Sequence, residues 1–132
     1  MEITEDLTLI GEDDDEGEKL DFSQVVPGFA FSRRQDLFQE ADEAWSKGPQ
    51  VGTAHLGVIV GHRGVAICHV VFVLDGDDTI VAHGVLPLTD GPKGATVGNG
   101  LLAVTGGTGN FNGAGGRLDV EVMNPKRYHF TI

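Results

Sequence analysis

At 132 residues, 40% of them apolar, with a formal net charge of −11, the chain has the size and composition of one globular domain with its own core. A single cysteine excludes an intramolecular disulfide, no apolar run reaches membrane-spanning length, and the acid excess excludes the basic stripe that a nucleic-acid binder needs. The N-terminus also lacks the basic-then-apolar plan of a secretion signal, so the expectation is a soluble, cytoplasmic protein.

The charge is unevenly placed. Residues 1 to 43 hold 14 of the 20 acidic residues against Lys19, Arg33 and Arg34, whereas from Ala44 onward six acidic residues face six basic ones. The chain is therefore read as an acidic N-terminal strand and linker over 1–26 followed by a β-domain over 27–132. Period-two alternation, β-branched residues and glycine punctuation predict eight strands in order: Ile3 to Ile10, Gly28 to Phe38, Val51 to Val60, Gly64 to Leu74, Thr79 to Leu88, Val97 to Thr105, Gly115 to Met123 and Lys126 to Ile132. Between the first two, Glu12-Asp13-Asp14-Asp15-Glu16-Gly17-Glu18 lacks the spaced ligands and turn glycine of a calcium loop and reads as a solvated loop. Gln39 to Lys47, ending near Trp45, is the one predicted helical turn. Later turns fall at Gly61-His62-Arg63, at Asp75 to Asp78, at Asp90 to Gly94 and at Asn124-Pro125.

Eight short antiparallel strands are enough to close a small β-barrel, and an open sandwich is the alternative on pattern alone. Near the C-terminus, Leu118, Val120 and Val122 alternate with Arg117, Asp119 and Glu121, so the apolar set is expected inside. Tyr128, Phe130 and Ile132 share a face by the same logic. The fourth strand is apolar on both sides, with Val65, Ile67, Val71 and Val73 against Ala66, Cys68, Val70 and Phe72, which predicts an outer cover and hence a homodimer.

The run Ala103 to Gly116, AVTGGTGNFNGAGG, superficially follows a dinucleotide-binding turn. That motif requires a helix after the glycines, whereas Arg117 to Val122 alternates as a strand, so the better reading is a tight connection between antiparallel strands. This run resembles the strand-turn-strand signature of the allene oxide cyclase and dirigent barrels. Val51-Gly52-Thr53, Ile67 to Leu74 and Thr79 to Gly84 follow in the order that superfamily uses. Over residues 3 to 53 the plan of early strand, acidic linker and Phe-containing strand is similar to the bacterial spirotetronate-type [4+2] cyclases of polyketide biosynthesis. The resemblance implies an all-β, antiparallel eight-stranded, calycin-type barrel and a cofactor-independent cyclase acting on an apolar polyene. The plant enzymes' catalytic glutamate has no matching position here.

A pericyclic ring closure needs no nucleophile, only a lumen that folds the substrate and one or two donors that polarise a conjugated carbonyl. Candidate donors are Tyr128, His55 and His69 as catalytic groups, with His83, Asn99, Arg33, Arg34 and Gln35 beside them. Tyr128 leads because it shares the expected inner face, although a core tyrosine with a satisfied hydroxyl fits the same position. Trp45 either stacks over substrate or anchors the rim, and Phe31, Phe72, Leu118, Val120 and Phe130 are expected to form the wall. Cys68, mid-strand among apolar residues, reads as a small buried hydrophobe. The histidine spacing supplies no matched parity for a metal site, and none is expected. If Ile3 to Ile10 packs at the barrel, Gly11 to Ser23 is placed to act as a lid. Deletion of residues 1–20 without effect on turnover would remove that role.

Overall fold

The computed structural model describes residues 8–13, 26–41, 46–91, 94–124 and 127–132. Nine strands follow in chain order: β1 (Thr8–Asp13), β2 (Ala30–Glu40), β3 (Lys47–Val60), β4 (Val65–Leu74), β5 (Asp78–Gly91), β6 (Gly94–Val97), β7 (Gly100–Thr108), β8 (Gly116–Asn124) and β9 (Arg127–Thr131). The sheet order is β4-β3-β2-β1-β9-β8-β7-β5, and pairing of β4 with β5 closes it into an eight-stranded antiparallel barrel. The short β6 folds back on the end of β5, with Leu88 opposite Val97. Closure leaves no stave with an unpaired edge, and it bears out the expected barrel over the open sandwich that pattern alone did not exclude.

Turn chemistry sets the register. After β4, Gly76 (φ 88°) and Asp77 (φ 64°) occupy the left-handed region in succession, and the Asp77 amide donates to Leu74 O at 3.0 Å. Two such residues match the twist of a hairpin, which glycine and aspartate tolerate best.

Strand limits moved where polar residues turned out to be paired. The first strand was expected at Ile3 to Ile10, yet β1 continues through Gly11, Glu12 and Asp13. It does so because it lies between β2 and β9 as a stave of the barrel, and because Glu12 Oε1 accepts from Lys47 Nζ at 3.1 Å. The remainder of the acidic run and of the suggested lid lies outside the described residues. Gln39 and Glu40 belong to β2 and Lys47 to β3, so the helical turn fails at both ends. There Ala41 N–H donates to Ser46 O at 2.9 Å, and a register slip after Phe38 accommodates Pro49 within the strand. The predicted sixth strand is divided at Gly98-Asn99 into β6 and β7.

The alternation expected for β8 and β9 holds. Leu118, Val120, Tyr128, Phe130 and Ile132 are buried. On β4 the structure resolves the ambiguous parity: Ala66, Cys68, Val70 and Phe72 face the interior, while Ile67 is 48% exposed outside. Register places Ile67 between Ile59 and Val85, both also about half exposed, in an apolar row on the outer wall. No helix among the described residues is long and apolar enough to cross a membrane.

Candidate functional site

The interior wall is built mainly from aliphatic and aromatic side chains, and β2 interrupts it. Phe31, Arg33, Gln35 and Leu37 point inward from that strand, opposite Val58, Leu56, Ala54 and Gly52 of β3. Successive inward positions are about 7 Å apart along a strand, so Arg33 and Gln35 occupy neighbouring levels of the lumen.

Arg33 Nη1 donates to the Tyr128 hydroxyl oxygen at 3.1 Å, with the guanidinium carbon 6.0 Å from the ring centroid. Tyr128 is 1% exposed. A cationic donor into a phenol oxygen polarises its O–H, and low surrounding dielectric strengthens the effect. Gln35 is fully buried, and neither its Nε2 nor its Oε1 has a hydrogen-bond partner among the described residues. Its carbonyl lies over Gly11 on β1. A Cβ at Gly11 would stand 2.5 Å from Gln35 Oε1 and 2.6 Å from Phe130 Cε2, so the glycine makes room for both.

Three polar side chains from β2 and β9 thus lie in an otherwise largely apolar barrel interior, Arg33 and Tyr128 joined and Gln35 one level along. Ala54, Ala66, Ala82 and Gly11 present only small groups to that interior, beside the larger Phe72, Phe130 and Leu118. One mouth of the barrel opens as a cavity of about 350 Å³ bounded by Leu9, Gln39, Val51, Leu74, Asp75, Asp78, Asn110 and Phe111. The glycine-rich connection forms part of that rim as a short 3-10 turn, Gly109–Phe111, after β7. Asp78 holds it by accepting from Asn110 Nδ2 at 2.7 Å and from its backbone N–H at 3.3 Å. Gly109 has φ 63°, and a side chain there would run into the Asp78 carboxylate.

The residues singled out in the sequence divide cleanly. Tyr128, Phe72, Phe130, Leu118 and Val120 meet in the interior, where Phe72 and Phe130 pack edge to face at 5.0 Å, and half-buried Phe31 lies towards one end. His55, His69 and His83 stand on the outer wall and cannot touch a molecule held in the lumen, because each alternates with inward-facing neighbours. His55 bonds to Thr53 Oγ1 at 3.1 Å. The rings of His69 and His83 meet tilted at 60°, 4.2 Å between centroids, beside an outer groove of about 730 Å³ that includes Ile59, Ile67 and Val85, and His83 Nδ1 lies 3.0 Å from Thr105 Oγ1. Both histidines are exposed on that groove. Asn99 is exposed as well, and its Oδ1 accepts from Val122 N–H at 2.7 Å, stitching the β6–β7 break to β8. Trp45 lies outside the described residues.

By sequence, Arg33 and Gln35 rank only as secondary donors. The strand alternates Phe31-Arg33-Gln35-Leu37 with Ser32-Arg34-Asp36-Phe38, and each set carries charge and an aromatic, so parity could not choose between them.

Cys68 faces the interior, its thiol donating to Ala66 O at 3.6 Å, and burial pushes its pKa up to about 11. Against the ordinary thiol at 9.0, that rise leaves about a hundredfold less thiolate at neutral pH. Alkylation by iodoacetamide at pH 7.5 is therefore expected to be at least about a hundredfold slower in the folded protein than in urea. Equal rates would place Cys68 on an accessible surface.

No protein-family model matches the chain, and no curated protein matches it. Among solved structures it is similar to a pyocyanin demethylase, at 21% identity and a TM-score of 0.60, over 96% of this chain and 99% of that one. The likeness is one of fold, and it extends across the whole barrel.

Proposed function

We propose that the barrel is a cofactor-independent cyclase that takes a linear, largely apolar polyketide-derived polyene into its lumen and promotes an intramolecular [4+2] cycloaddition. The observation that carries this reading is the Arg33–Tyr128 pair, 3.1 Å apart inside an apolar wall. A carbonyl conjugated to the dienophile and seated against this pair loses electron density to it, which lowers the barrier to cycloaddition, while the wall holds diene and dienophile together. Two carbon–carbon bonds form from the π electrons of the substrate, and no atom enters or leaves. The likeness to a pyocyanin demethylase adds that a barrel of this shape serves as an enzyme elsewhere.

Acid–base ring closure is the rival chemistry. Cys68, the thiol that faces the interior, is held protonated at neutral pH and does not serve as its base, and a pericyclic closure needs no proton transfer. The expected kcat/KM is accordingly flat between about pH 6 and 9, and a bell-shaped profile would favour acid–base closure instead. The same proposal includes a homodimer through the exposed row of Ile59, Ile67 and Val85. A solution mass equal to one chain would remove that part alone.

A further inference from the structure

We propose that Gln35 is the specificity-determining residue of the lumen and that it reads a cyclic secondary amide, the N–H and C=O edge of a lactam or imide, on the bound molecule. The inference rests on the lumen being the binding site. Its starting point is the fully buried side-chain amide of Gln35, whose donor and acceptor both lack partners among the described residues. Leaving a buried donor or acceptor unmade is costly, and such a group persists where something else satisfies it.

The chemistry of the amide narrows what that something is. Nε2–H donates and Oε1 accepts, side by side and in one plane. An ester or lactone satisfies Nε2 and leaves Oε1 bare. A carboxylate does the same and sets negative charge against Oε1. A cyclic secondary amide, locked with N–H and C=O on one edge, satisfies both at once. Gly11 supports this geometry, since any side chain there would collide with Oε1 and turn the amide away.

The test is isothermal titration of the full chain with three probes of equal tail: a long-chain alkyl pyrrolidinone, its N-methyl derivative and the corresponding butyrolactone. The pyrrolidinone is expected to bind about 10- to 100-fold more tightly than the other two, the range set by one unpaired buried acceptor. In Gln35→Met that preference is expected to collapse to within about threefold, with lactone affinity retained and the melting temperature not lowered, because the replacement removes an unpaired polar group from the interior. Equal affinities in the wild-type protein, or a preference that survives Gln35→Met, would overturn the role of Gln35 and leave the lumen as a binding site. Failure of all three probes to bind would overturn the lumen reading itself. The wild-type comparison stands even if the variant does not fold.

Discussion

Replacing Arg33 with methionine is expected to lower kcat/KM about 10²- to 10³-fold, the range found when one preorganised donor to a developing negative charge is removed. The argument depends on position. Arg33 comes from the inner face of β2 opposite buried Leu56, and its Nη1 already donates to the oxygen of Tyr128. Methionine matches much of the aliphatic stem, so wall packing is largely kept while the cation and its donors are lost. Arg33→Lys restores a charge without the planar fork, and an intermediate rate is expected. The control is Arg34→Met on the adjacent outward position, where the side chain pairs with Asp36 at 3.2 Å and is 48% exposed. That variant should turn over at close to the wild-type rate. Equal losses in both would show that charge on β2, and not a donor in the lumen, matters.

Phe130→Ala is expected to cost about 3 to 5 kcal/mol of stability, the usual range for truncating a fully buried phenylalanine. Phe130 is 0% exposed, stands edge to face on Phe72 at 5.0 Å, and lies 6.0 Å from Tyr128 between ring centroids. Few neighbours can relax into the gap, since a closed barrel ties each stave on both sides. For a domain of this length the loss corresponds to a fall of roughly 10 to 20 °C in Tm by calorimetry. Leu101→Ala, on the outer wall at 54% exposure, should change stability by no more than about 0.5 kcal/mol. A small effect at Phe130 would mean that its ring borders open lumen rather than packed core.

The barrel was legible because its last strands obey a strict inside-outside alternation and its turns carry the residues that hairpins demand. Leu118, Val120, Tyr128 and Phe130 sit where parity put them, and Gly76-Asp77 turns where composition said it would. The displaced strand limits have one cause. Sequence windows weigh charge and proline as breakers, whereas Glu12 and Pro49 are held in strands by a cross-strand lysine and by a register slip. The histidines misled for a related reason: their chemistry drew attention, yet strand parity on β3, β4 and β5 sends them outward. That parity became readable only once β4 was paired on both sides. Gln35 was visible as a residue type and invisible as a buried one, since nothing in Arg34-Gln35-Asp36 announces which side faces the lumen.

The central claim is that the lumen closes a ring with its own donors. Purified, metal-stripped protein incubated with a linear polyene bearing an exocyclic-methylene tetronate or tetramate, followed by mass spectrometry and chiral chromatography, tests it most directly. The account predicts a product of unchanged mass, altered retention and single configuration, formed by the wild-type protein and lost in Arg33→Met. Substrate recovered unchanged yet bound to the protein would contradict it, and would make the barrel a carrier.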